Sequence, residues 1–172
     1  METSITQPAV NDLEVAGSYP GTDATVAQLM MLADQYHIAA DTLLPHSGSG
    51  LAVSSAPMRL CAIHAIEAYL TAFLRFRDLN PAEVRGLQHN LAQRAAAAME
   101  KGLQLRAKTF AHLVSLDDKR EYLRVRYGPE SMHGLSEINR IFATLREVSA
   151  KVTSAICKQP YDLADARFKK YW

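Results

Sequence analysis

Apolar residues recur along this chain at steps of three and four, the period that aligns side chains on one face of an α-helix. From Asp23 the stripe is Val26, Leu29, Met30, Ala33, Tyr36, Ala40 and Leu43, and Pro45 with the following His-Ser-Gly-Ser-Gly ends it. A second helix is expected from about Ser54–Pro57 to Asp78, with Leu60, Ile63, Ile66, Leu70 and Phe73 as its stripe. Tyr69 and Phe76 widen that stripe past half the circumference, which predicts a central helix with apolar surface to spare for a second copy. Asn80-Pro81-Ala82-Glu83 is a helix-start signal, and Val84, Leu87, Leu91, Ala95 and Met99 continue a third helix to Gly102. Residues 103–127 read as helical with a break at Ser115–Asp118, where Ser and Asp favour caps and turns. The last helix carries Leu135, Ile138, Ile141, Phe142, Leu145, Val148, Val152 and Ile156.

No segment alternates apolar and polar residues between turns, and no internal repeat is visible, so neither a sheet nor a solenoid is expected. The pattern predicts an all-α, five-helix, up-and-down bundle over residues 23–158. Residues 1–22 lack periodicity and are expected to be disordered or loosely docked. Residues 159–172 form a basic, aromatic tail ending Arg167-Phe168-Lys169-Lys170-Tyr171-Trp172, which would dock on the bundle, bind a partner or stay loose.

Composition adds boundaries. A chain of 172 residues suits one domain with its own core. Cys61 and Cys157 both sit in apolar stretches and read as buried free thiols, in keeping with a reducing cytoplasm. The first residues show no signal-peptide pattern, and no apolar run is long enough for a membrane span, so a cytoplasmic protein without membrane contact is expected. Net charge is +1, which excludes a general polyanion binder. The first 50 residues hold six acids and no Lys or Arg, leaving the rest basic. That asymmetry marks either a basic surface or ordinary helix faces in ion pairs.

Three short elements in order carry a family resemblance. His64-Ala-Ile-Glu67-Ala-Tyr69-Leu70-Thr71-Ala72 resembles the His-Ala-x-Glu-x-x-Leu-Lys-Ala pattern of HEPN domains. Gln88-His89-Asn90-Leu91 stands where that family commonly has Gly-His-Asp-Leu, and Tyr122-Leu-Arg-Val-Arg126-Tyr127-Gly128 resembles its Tyr-x-x-x-Arg-Tyr-Pro element. Thr71 stands in place of the usual Lys, Asp78 of a frequent Gly, Gln88 of a Gly, Asn90 of an Asp and Gly128 of a Pro. The resemblance spans residues 23–158. It implies a five-helix bundle, a homodimer, and association with RNA cleavage, with toxin–antitoxin pairs or with a nucleotidyltransferase companion.

Active members place a His after an Arg with four to six residues between them, which implies Arg126 and His133 here. The His would move a proton at the ribose hydroxyl or leaving oxygen, and the Arg would hold phosphate. The pairs Arg59–His64 and Arg106–His112 have similar spacing but lie within predicted helices, where their side chains point apart. Gly128-Pro129 interrupts the third pair, so a loop could bring Arg126 and His133 together. The alternative is a structural ion pair for Arg126 and a solvated loop position for His133. Arg120, Tyr122, Arg124 and Tyr127 could form a phosphate-and-stacking surface, diluted by Asp117, Asp118 and Glu121.

His64 and Glu67 share a helix face, but no second Glu-x-x-His accompanies them, and neither a metal nor a cofactor is expected. Phosphate loops, Cys-x-x-Cys pairs and nucleophile elbows are missing from the sequence. The expectation is a regulatory module that binds a nucleotide, RNA or a partner protein such as an antitoxin or nucleotidyltransferase. The alternative is a metal-independent endoribonuclease of toxin type.

Overall fold

A computed structural model of the chain describes residues 19–47 and 51–157. Most of the expected loose N-terminal segment and the basic-aromatic tail lie outside the described residues. Among the described residues there are seven α-helices, three short 3₁₀ turns and no strand.

Helix α1, Val26–Leu43, starts three residues after Asp23 because Thr25 caps it. The Gln28 N–H donates to Thr25 Oγ1 at 3.2 Å, and the Thr25 N–H donates back to Gln28 Oε1 at 2.9 Å. Helix α2, Ala56–Phe76, is the central element and packs against α1 and the five-turn helix α7, Ile138–Cys157. It also meets the short helices α3, Pro81–Gly86, α4, Leu91–Glu100, and α6, Glu121–Tyr127. Its Ala62, Ala65, Ile66, Leu70, Ala72 and Leu74 are fully buried. Most of the apolar girth of α2 is therefore covered within the chain, while Phe76 at its C-terminal end stays 37% exposed. Helix α5, Ala107–Asp118, packs on α4, α6 and α7.

Two expected helices are divided. The third one breaks at Leu87–Asn90, because Gln88 adopts φ 48° and Asn90 opens a new helix by accepting the Gln93 N–H at 2.7 Å. The segment 103–127 breaks at Lys119–Arg120, later than Ser115–Asp118, with Arg120 left-handed at φ 50°. There the chain restarts so that Glu121 can be fully buried. One Glu121 oxygen accepts the Ser136 N–H and hydroxyl, both at 2.6 Å, while the other lies 3.7 Å from buried Arg59. This cluster ties α2, α6 and the approach to α7 together.

Leu103 and Leu105 are buried but non-helical, and α5 starts only at Ala107. Its first turn is capped from across the bundle. Glu147 on α7 accepts the Arg106 N–H at 2.7 Å, the Thr109 hydroxyl at 2.6 Å and the Arg106 Nε–H. Burial pushes the Glu147 carboxyl up, but these bonds outweigh it and leave its pKa below the ordinary value. Cys61 and Cys157 are free and half-buried rather than buried. Among the described residues no helix is long and apolar enough to cross a membrane.

Candidate functional site

One stripe of α2 escapes enclosure. His64, Glu67, Thr71 and Arg75, at steps of three and four, are half-buried where their neighbours are buried. Glu67, Thr71 and Arg75 form the floor of a cleft of about 550 Å³. Val84, Arg85, Gln88, His89 and Arg94 form one wall, and Tyr19–Thr22 another.

Arg94 holds the floor together. It is 4% exposed, and its Nη1 donates to Thr71 Oγ1 at 2.9 Å. Its Nη2 reaches Glu67 Oε1 at 3.4 Å and donates to the Gln88 carbonyl. Burial lowers the guanidinium's pKa and Glu67 opposes that shift. The buried Nε has no hydrogen-bond partner.

His89 is set on the cleft rim by the left-handed turn at Gln88. Its Nδ1 lies 3.2 Å from both oxygens of Glu67, and its ring stacks on Tyr122 at 4.4 Å and 26°. With the Nδ1 proton donated to Glu67, Nε2 remains as an acceptor. The side chain is 54% exposed. Tyr122 also carries Arg126, whose guanidinium lies 5.0 Å from its ring and donates to its hydroxyl. The same guanidinium lies 4.9 Å from the ring of exposed Tyr127. His64 sits edge-on to Tyr36 at 4.2 Å. Its pKa is lowered by burial, with Glu67 opposing and His89 and Arg126 adding to the fall. Thus residues 64–67, 89 and 122–126, remote in sequence, meet in one place.

The predicted site residues divide into two groups. Arg126 and Tyr127 are exposed and form one aromatic–cation cluster with half-buried Tyr122. Arg124 is turned into the loop after α6, where it donates through Nε to the Ser131 carbonyl at 2.8 Å and through Nη2 to the Ser131 and His133 carbonyls. Arg120 serves as the left-handed cap of α6. His133 is exposed and engaged through its carbonyl. Among the described residues, the side chains of Arg126 and His133 share no hydrogen bond, ion pair or ring contact. Among the described residues Arg126 has no carboxylate within 4.0 Å either; aromatic faces hold it instead.

The sequence pattern did not point to Arg75, Arg85 and Arg94 as site residues. Arg94 left a signal, because it occupies a core-facing step between Leu91 and Ala98 where an apolar residue would be expected. The lining of the cleft sets three guanidiniums against the single carboxylate of Glu67. Among the described residues Arg75 and Arg85 have no carboxylate within 4.0 Å. The described residues contain no cluster of three or more His, Cys, Asp or Glu that could hold a metal ion.

Fold and site together define an all-α bundle whose central helix offers a cationic cleft. No protein-family model, curated protein or solved structure matches the chain.

Proposed function

We propose that this chain is a HEPN-like module that binds a nucleotide or an RNA phosphate in the α2 cleft. The excess of arginine over carboxylate around that cleft carries the reading, since guanidiniums without acidic partners favour phosphate oxygens. The neighbouring His89–Tyr122 stack offers an aromatic platform of the kind on which bases stack.

The departures from the family pattern support the resemblance. Asp78 and Gln88, which stand in place of frequent glycines, have φ 64° and 48°. Those are backbone conformations that glycine adopts without strain. Asn90 stands in place of an Asp and performs the cap that an Asp would perform. Three of the five substitutions thus keep the local geometry that the family's residues would serve. By the same resemblance the module pairs as a homodimer and works beside an antitoxin or a nucleotidyltransferase.

The test is calorimetric titration of the full chain with adenosine 5′-monophosphate at low salt. Arg75→Gln should weaken binding about tenfold or more, because a charge-assisted hydrogen bond to phosphate is lost. Equal affinity in wild type and variant would sink the reading.

A metal-independent endoribonuclease is the second reading, favoured by a guanidinium and an open imidazole near one another. In that case Arg126 would hold phosphate. His89, which shares the Tyr122 ring with Arg126, would carry the proton in place of His133. Cleavage of single-stranded RNA without metal, lost in His89→Ala, would establish it.

A further inference from the structure

Residues 19–22 fold as a tight turn along the mouth of the cleft. The Thr22 N–H donates to the Tyr19 carbonyl at 2.9 Å, with Pro20 and Gly21 between them. Gly21 has φ 86°, which is what a type II turn requires at its third residue, and proline suits the second. The turn is therefore specified by its own residues, not merely pressed against the bundle.

Its two ends engage the two cleft arginines that lack carboxylates. The Arg85 guanidinium lies 4.8 Å from the Tyr19 ring centroid. Arg75 Nη1 donates to the Thr22 carbonyl at 3.4 Å. An aromatic face on one arginine and an oxygen on the other are the two kinds of contact that a base and a phosphate would make.

The hold is weak. The hydrogen bond is long, and Tyr19 remains 61% exposed. Arg94, by contrast, is buried and fixed by its three acceptors, so it stays in place whether the turn is docked or not.

We propose that Tyr19–Thr22 is a strap that competes with the ligand, occupying Arg85 and Arg75 in the empty protein and leaving when a nucleoside phosphate enters. This rests on the phosphate-binding reading of the cleft. Closure reduces the fraction of binding-competent molecules, and apparent affinity falls by the same factor.

The experiment uses the full chain as wild type, Tyr19→Ala and Gly21→Val. Tyr19→Ala removes the ring from Arg85. Gly21→Val strains the turn through its positive φ, with no neighbouring atom within 4 Å to clash. Two quantities are read: the rate at which phenylglyoxal labels Arg75 and Arg85, by mass spectrometry, and the affinity for adenosine 5′-monophosphate, by calorimetry. Both variants should label and bind about two- to fivefold better than wild type, the range expected for losing one exposed cation–π contact. Unchanged labelling in both variants overturns the strap. Faster labelling with unchanged affinity overturns its role as a competitor. If no form binds the nucleotide, the cleft reading falls and the competition with it, while the labelling still reports whether the turn was docked.

Discussion

Removing the Glu147 carboxylate tests how α5 is attached to the bundle. Glu147 takes the place of the side-chain cap that Arg106, at the N-cap position, does not provide. In Glu147→Ala the Arg106 N–H and the buried Thr109 hydroxyl lose their acceptor together. Each donor left unsatisfied costs about 1–3 kcal/mol. The Arg106 side chain is 75% exposed and regains water, so its loss adds at most about 1 kcal/mol. The sum is about 2–7 kcal/mol, a drop in Tm on the order of 10 °C for a chain of this size. Arg106→Ala removes the exposed end of the same ion pair and keeps the backbone N–H, so it should cost about 1 kcal/mol or less. Urea unfolding of the two variants beside wild type measures both values. Equal losses would show that the ion pair carries the energy, and Glu147 would then be no cap of α5 in the energetic sense.

His112 sets a pH dependence. Its Nδ1 pairs with Thr144 Oγ1 at 2.7 Å, its Nε2 is buried without a partner, and burial, with Arg140 and Lys119 nearby, lowers its pKa to about 4. Stability should be full above the unfolded value near 6.5 and decline as pH falls from there toward 4. Part of the shift comes from solvent-facing cations that salt screens, so the loss should be about 2 kcal/mol. Denaturant midpoints at pH 7 and pH 4.5 give the slope, and His112→Gln should flatten it; an identical slope in the variant would exclude this histidine as the cause. His133→Ala should leave the melting temperature within the ~0.5 kcal/mol range typical of surface positions. If the wild type cleaves single-stranded RNA without metal and His133→Ala does not, the Arg126–His133 pairing expected from the sequence is restored and the binding-only reading fails.

The helical class and the central place of α2 were legible because burial repeats at the helical period, and the wide apolar face of Leu60 to Phe73 has one physical meaning. The divided helices were not. Nothing in the identity of Gln88 or Arg120 announces a left-handed backbone; each is imposed from outside, by the Asn90 cap in one case and by the burial of Glu121 in the other. Ser and Asp at 115–118 marked a boundary by local preference, and tertiary contacts moved it two residues on. Of the candidate site, Tyr122, Arg126 and Tyr127 were found as neighbours because they lie on one short helix, with Arg126 about one turn on from Tyr122 and next to Tyr127. Arg75, Arg85 and Arg94 were missed because only the fold brings them beside Glu67. Spacing suggested His133, but the loop after α6 commits Arg124, not Arg126, to that stretch.

The enclosure of α2 bears on how such a site can change over many generations. Nearly every outward direction from this helix meets another helix, and fully buried alanines such as Ala62, Ala65 and Ala72 leave no room for larger side chains. Variation there carries the penalty of overpacking. On the stripe His64–Glu67–Thr71–Arg75 that restriction eases toward solvent, although Glu67 and Thr71 also hold buried Arg94. This tightly enclosed helix therefore holds a narrow strip along which the cleft can change, most freely at Arg75, with little repacking of the interior. Drift in this lineage would be expected to preserve the architecture and rewrite the cleft, so that descendants alike in shape come to differ in what the cleft accepts.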